Sequence, residues 1–311
     1  MLPFYIYTFY IYTKLKYLQV NNRNNFIYTL ILKEYVKTKK LPNGFKIPVF
    51  GIGTCLMGGE DYGPPDYTND YKYIKSIQEA IKLGYTHIDT AEIYGGNHTE
   101  ELIGKAIKIF DREKLFITTK VCKEHLKYND IIVSAKNSLK RLCTDYINLY
   151  LLHRPNPDVP IKETMEAMNY LVDNKIIRFI GVSAFNIEEI KEAQKHSKYP
   201  IVTNQLKFSI YKKSDTKTIK YCQENNILVT AYKIFGRGMI KTNKNSLISN
   251  LSKKYNKTEA QILLRWVISK KNMVAIFKST NTTHLKENKN IFDFKLTSEE
   301  MSKIDLLVPP L

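Results

Sequence analysis

Residues 115–152 read LFITTKVCKEHLKYNDIIVSAKNSLKRLCTDYINLYLL. A short apolar, β-rich run at 115–119 is followed by a segment of helical period at 129–142 and by a second apolar run at 147–152, the alternation of a strand, a crossover helix and a parallel strand. Working outward, the same unit recurs from Leu41 onward. The other runs that read as strands are 49–53, 86–89, 179–182, 201–204, 228–231 and 274–277, and further helical stretches are predicted at 71–83, 100–110 and 162–173. Strictly alternating units imply parallel strands joined by right-handed crossovers. Eight of them predict an α/β fold of the closed (β/α)8 TIM-barrel type.

At the front of the repeat, Leu41-Pro42-Asn43-Gly44-Phe45-Lys46-Ile47 places an Asn-Gly turn between two short apolar pieces. This predicts a small N-terminal hairpin capping the barrel bottom. At the far end, Thr297 stands three residues before Glu300, a capping box that opens a last helix before Pro309-Pro310. Residues 1–38 are rich in Tyr, Ile and Asn and carry no glycine. They read as an N-terminal extension to a barrel spanning 39–311, and they lack the ordered n-region and small-residue cleavage site of a secretory signal. A mistaken upstream start, a loosely attached extension and an unfamiliar targeting segment are three open readings, of which the first two fit better.

Composition narrows the function classes. With 311 residues, 43% hydrophobic, 25% charged and 13 glycines, the chain lies outside the disordered, collagenous and disulfide-scaffold classes. Cys55, Cys122, Cys143 and Cys222 form no CxxC pair, so neither a zinc site nor a disulfide framework is expected, and a cytoplasmic location fits. The apolar N-terminal stretch is interrupted by Lys14, Lys16 and several threonines and tyrosines, so no membrane span is expected. The net charge of +18 raises the question of nucleic acid. Seven Lys/Arg against one acid in residues 1–40 account for part of it, and the remaining lysines are scattered among Asn, Ile and Tyr. That is a compositional bias, not a basic binding stripe.

In such a barrel the catalytic groups project from the carboxyl ends of the strands. Asp89 and Tyr94 follow the second barrel strand, Lys120 the third, and His153 the fourth. A carboxylate, a phenol, an amine and an imidazole at one mouth make a proton-delivery set. The lysine is expected to lower the tyrosine pKa, the aspartate to orient the lysine, and the histidine to polarise a substrate carbonyl. Taken singly, each has a structural alternative: a capping Asp89, a solvated Lys120, one of 22 tyrosines and a loop His153. The first loop, residues 57–69 with Pro64-Pro65, is expected to supply much of the pocket wall.

These pieces resemble the aldo-keto reductase signature, over a match that runs from about Leu41 to Asp305. The motifs that carry it are GYTHIDTAEIYG at 84–95, LLHRP at 151–155, IGVS at 180–183, NQ at 204–205 and KSTN at 278–281. The prokaryotic-type branch with a short C-terminus, which includes diketogluconate-reductase-like and archaeal alcohol-dehydrogenase-like members, is the most similar. The resemblance implies a barrel that binds a nicotinamide dinucleotide across its mouth and reduces aldehydes or ketones, with Asp89, Tyr94, Lys120 and His153 as the catalytic tetrad and Tyr94 as the proton donor. It also implies that Ser183 and Gln205 hold the carboxamide, that Tyr232 stacks on the nicotinamide, and that Lys278, Ser279, Thr280, His284, Glu287 and Asn288 face the adenosine end. The glycines of Gly51-Ile52-Gly53 are no Rossmann fingerprint, because the third position is a leucine and a loop follows.

Three positions depart from the family pattern. Ala184 stands where an asparagine is usual, which removes one hydrogen-bonding side chain. Lys233 replaces a small hydroxyl near the pyrophosphate, where an amine can serve as a point-charge contact. His284 replaces the arginine that forks onto the adenosine 2′-phosphate. Use of both NADP(H) and NAD(H) is therefore expected, with NADP(H) modestly favoured or nearly equal. The expected partner is a small carbonyl substrate (an aldehyde, a diketone or an aldose), held by a monomer in a pocket without a long C-terminal lid. Two other readings stay open: a dinucleotide-sensing barrel serving as a regulatory subunit, and a metal-dependent hydrolase built on His87, Asp89 and His153.

Overall fold

The computed structural model describes residues 37–211, 216–242 and 245–307, so residues 1–36 and Pro309-Pro310 lie outside the described residues. Its first elements are a two-stranded antiparallel hairpin, β1 (Thr38–Lys40) and β2 (Lys46–Pro48). Thr38, the last residue of the stretch read as an extension, already pairs with Pro48. The eight runs predicted from sequence are the eight strands of a closed parallel barrel: β3 (Phe50–Gly53), β4 (His87–Asp89), β5 (Phe116–Val121), β6 (Ile147–Leu152), β7 (Ile177–Ser183), β8 (Ile201–Lys207), β9 (Leu228–Tyr232) and β10 (Met273–Phe277). β10 pairs with β3 to close the ring, through Ala275 opposite Phe50 and Phe277 opposite Ile52.

The helices follow the strands in order: α1 (Asp70–Lys82), α2 (His98–Ile107), α3 (Tyr128–Leu142), α4 (Ile161–Asp173), α5 (Ile187–His196) and α6 (Thr216–Glu224). After β9 come a short α7 (Met239–Thr242), α8 (Ser246–Tyr255) and α9 (Glu259–Ser269), and after β10 come α10 (Thr282–Lys289) and α11 (Ser298–Leu306). The capping box read from Thr297 and Glu300 opens α11, with Glu300 N–H donating to Thr297 Oγ1 and Thr297 N–H to the Glu300 carboxylate. Thr258 with Gln261 and Asn186 with Glu189 do the same for α9 and α5.

Successive residues of a strand face opposite sides, and the core divides accordingly. On β6, Tyr150 and Leu152 belong to the large layer between strands and helices. Leu149 and Leu151 belong to a smaller cluster with Val202, Leu228 and Val274 inside the barrel. Leu41, Phe45 and Ile47 of the hairpin join this inner cluster and are almost fully buried. The Phe45 ring lies edge-on to Phe179 and Phe116, at 4.7 and 6.0 Å between centroids. The hairpin thus closes the amino-terminal end of the barrel with side chains, as its turn signal implied. The two glycines that imitate a phosphate-binding loop have packing roles instead. A Cβ at Gly51 would sit 2.6 Å from His87 Nδ1, and one at Gly53 would sit 2.8 Å from the Ile276 side chain.

Candidate active site

The open end of the barrel holds a cavity of about 560 Å³ whose walls include Asp89, Tyr94, His153, Ser183, Gln205 and Tyr232. Beneath its floor lies Lys120, on β5 and fully buried. A buried ammonium needs both a counter-charge and hydrogen bonds. Lys120 Nζ has them: it donates to Asp89 Oδ1 at 2.7 Å and to the Thr90 carbonyl at 2.6 Å. The other carboxylate oxygen of Asp89 accepts from Gln205 Nε2 at 2.7 Å. β4, β5 and β8 therefore meet in a single polar cluster, and Gln205, expected only to hold a carboxamide, also braces the ion pair. Ser183 Oγ donates to the Gln205 carbonyl at 3.1 Å, which fastens β7 to the same wall.

Tyr94 follows β4 in a loop fixed by a bridge to Asp61 and by its own N–H to the Ala91 carbonyl. Its ring is 5.2 Å from Lys120 Nζ and lies edge-on to His153 at 5.8 Å between centroids. The four tetrad residues, distant in sequence, are thus neighbours. Their ionisation differs in one respect from the sequence-based expectation. Burial, and then the nearby Asp89 carboxylate, hold the Tyr94 phenol well above its usual pKa of 10.0, not below it. The Lys120 charge that was expected to lower it is engaged at 2.7 Å by Asp89, whose own charge raises it, and desolvation prevails. Tyr94 is accordingly a protonated phenol at neutral pH. Burial, with Lys120 and Arg154 nearby, lowers the His153 pKa to about 3, so its imidazole is neutral. Desolvation raises that of Asp89, with Lys120 opposing.

The predicted cofactor residues fall into two groups. Ser183, Gln205, Tyr232, Lys233 and Lys278 line the cavity together with Asp89, Tyr94 and His153. Lys233 Nζ stands 5.4 Å from the Tyr232 ring centroid, and Lys278 Nζ donates to the Leu56 carbonyl at 3.3 Å. Ser279 and Thr280 follow β10 outside that lining, and His284, Glu287 and Asn288 lie along α10, whose N-terminus Asn281 caps. His284 is exposed and Asn288 buried. Two of the three departures from the family pattern, Ala184 and Lys233, sit at the cavity wall with left-handed backbone, at φ 60° and 58°. An aromatic face, polar carboxamide partners and two lysines along one wall suit a nicotinamide dinucleotide with its phosphates.

Sequence reasoning missed other wall residues, Cys55, Asp61, Arg154 and Phe235. Two of them carried a signal: Asp61 falls in the 57–69 loop expected to shape the pocket, and Arg154 in the LLHRP motif at 151–155. The hydrolase reading does not survive the geometry. His87 is buried against Thr118 at 3.0 Å, both Asp89 oxygens are engaged, and among the described residues these groups form no metal-ligand cluster. A different trio, Glu92, Cys122 and His125, does come together beside the mouth, where the sequence suggested no metal site.

Residues 49–308 match the family model described as "Aldo/keto reductase family". A glyoxal reductase from Bacillus subtilis (strain 168) is 36% identical over 273 residues, 87% of this chain and 92% of that protein. A thermostable aldo-keto reductase crystallised with the inhibitor epalrestat superposes with a TM-score of 0.80 at 42% identity, covering 87% of this chain and 99% of that one. An aldo-keto reductase from Klebsiella pneumoniae in complex with NADPH gives a TM-score of 0.78 at 30% identity, covering 89% and 96%.

Proposed function

The chain belongs to the aldo/keto reductase family, and from that premise we propose that it is an NADPH-dependent oxidoreductase that reduces small aldehydes and dicarbonyls to alcohols, with Tyr94 as the proton donor. The observation that carries this reading is the placement of Tyr94 beside both the neutral His153 ring and the buried Lys120–Asp89 pair, on the wall of a cavity large enough for a small carbonyl. Bound NADPH supplies the hydride. The carbonyl oxygen is held by hydrogen bonds from Tyr94 and the His153 imidazole, which polarise it. As negative charge develops on that oxygen, Tyr94 passes it the phenolic proton. Lys120 stabilises the phenolate left behind, and Asp89 with Gln205 keeps the ammonium in place. In alcohol oxidation the same phenolate takes the proton back.

Ser183, Gln205 and Tyr232 would hold the nicotinamide end, Lys233 and Lys278 the phosphates, and the β10–α10 segment with Ser279, Thr280, His284, Glu287 and Asn288 the adenosine. The glyoxal reductase likeness supports small aldehydes and dicarbonyls as substrates. We place the enzyme in the reducing cytoplasm, in keeping with its four free thiols, and as a monomer. Among the described residues no helix is long and apolar enough to cross a membrane.

The test is a carbonyl panel followed at the NADPH absorbance band, run in parallel with NADH and with Tyr94→Phe. Loss of the general acid should lower turnover by about 10²- to 10⁴-fold while the fold persists. A Tyr94→Phe protein that reduces carbonyls at the wild-type rate would overturn the assignment.

A further inference from the structure

Glu92 lies midway between Asp89 and Tyr94 on the loop after β4, Cys122 lies just past the end of β5, and His125 follows it by three residues. None of the three lines the substrate cavity, yet one ligand atom from each falls within 4.8 Å of the others. Glu92 Oε1 is 3.1 Å from His125 Nδ1, and Cys122 Sγ is 3.2 Å from the same nitrogen. Glu92 and Cys122 are buried, at 4% and 3% exposure, whereas the His125 side chain is 52% exposed. The carboxylate is further anchored by the Cys122 backbone N–H at 2.6 Å, and Ser134 Oγ also stands 3.2 Å from the imidazole nitrogen.

A neutral imidazole nitrogen offers one proton or one lone pair, so Nδ1 cannot satisfy a carboxylate, a thiol and a hydroxyl together. One cation placed among Glu92 Oε1, Cys122 Sγ and His125 Nδ1 can take a lone pair from each. We propose that Glu92, Cys122 and His125 form a binding site for a borderline-soft divalent cation of the zinc class, at the rim of the barrel mouth and separate from the reductase centre. Zinc–ligand bonds of about 2.0–2.3 Å at tetrahedral angles need an N–O edge of about 3.3 Å and an N–S edge of about 3.6 Å. The observed edges of 3.1 and 3.2 Å are short of these by a few tenths of an ångström, and the exposed His125 ring can supply that movement. The thiol gives up its proton to solvent on coordination, and three protein ligands leave a fourth position for water. Mixed sulfur, nitrogen and oxygen ligation favours zinc over calcium or magnesium, which require oxygen. Occupancy would link the loop that carries Tyr94 to the segment that follows Lys120.

The experiment is a titration of the untagged full chain with Co²⁺, followed by displacement with Zn²⁺. We expect tetrahedral visible bands and a near-ultraviolet thiolate-to-cobalt band that saturate at one equivalent and disappear when zinc is added. Cys143 is an exposed thiol and the natural decoy, so the bands should persist in Cys143→Ser and vanish in Cys122→Ser. His125→Ala, altered at an exposed side chain, tests the site even if Cys122→Ser does not fold. Its zinc affinity should fall by more than about tenfold, the lower end of the loss seen when a group that merely supports a ligand is removed. Absence of the thiolate band, its survival in Cys122→Ser, its loss in Cys143→Ser, or unchanged zinc affinity in His125→Ala would each overturn the proposal.

Discussion

His87→Gln should flatten the acid side of the stability curve by an amount that follows from the geometry of the barrel interior. His87 is 1% exposed. Its Nε2 meets Thr118 Oγ1 at 3.0 Å, its Nδ1 is buried without a partner, and Gly51 presses against the ring. Burial, and then the charge on Lys120, lower its pKa from 6.5 to about 3. The folded state therefore binds this proton less readily than the unfolded chain. The resulting stability is fully present above about pH 6.5 and is lost as the pH falls toward about 3. With a slope approaching 1.36 kcal/mol per pH unit, His87 should remove about 2.5 kcal/mol of unfolding free energy between about pH 6 and about pH 4. The glutamine amide of the variant keeps a neutral partner for Thr118 and cannot titrate. His153 has the same sign, and the raised carboxyls Asp89 and Glu100 have the opposite one. All three remain in the variant, so the difference between the two curves isolates His87. Urea unfolding of both proteins at a series of pH values, compared at equal m-values, measures it. Parallel curves for wild type and variant would refute the reasoning.

Three further outcomes are expected. Lys120→Met leaves Asp89 as an uncompensated buried carboxylate and should cost about 3–5 kcal/mol; a drop in thermal midpoint that the added Asp89→Asn change partly restores would show it. Ala184→Asn places a residue tolerant of left-handed backbone at an exposed position with φ 60°. It should stabilise the fold by about 1 kcal/mol and tighten NADPH binding by about two- to tenfold through one hydrogen bond, as read by denaturation and by fluorescence titration. Because His284 cannot fork onto a phosphate, the kcat/KM preference for NADPH over NADH should stay below about a thousandfold, roughly 4 kcal/mol, and a larger ratio in parallel kinetics would reject that account.

The fold is legible in the sequence because eight apolar runs and the helical periods between them carry it. The strand ends are less so, and for a chemical reason. The third barrel run reads as stopping at Thr119, yet β5 continues through Lys120 to Val121, and the sixth reads to Asn204, yet β8 continues through Gln205 to Lys207. Polar residues at the carboxyl ends interrupt the apolar pattern where the site is built, so the pattern fades at the positions that matter for chemistry. The tetrad can still be found, because its members stand at the ends of three successive strands, β4, β5 and β6. What cannot be found are relations between strands: the hydrogen bond from Gln205 to Asp89, 116 residues apart, or the meeting of Glu92 with Cys122 and His125. The local Cys122-x-x-His125 spacing is present, but its third member lies 30 residues upstream. The direction of the Tyr94 shift also depends on burial and on the nearby Asp89 charge, neither of which a one-dimensional reading contains.

Among the described residues, the hairpin stopper made by Leu41, Phe45 and Ile47 leaves this barrel a single doorway. Reactant, alcohol product and the proton that recharges Tyr94 must all pass the rim where the dinucleotide would lie, since the opposite end is sealed by aromatic and aliphatic side chains. Traffic through one opening imposes a queue: whichever molecule lies deeper must wait for the one above it to leave.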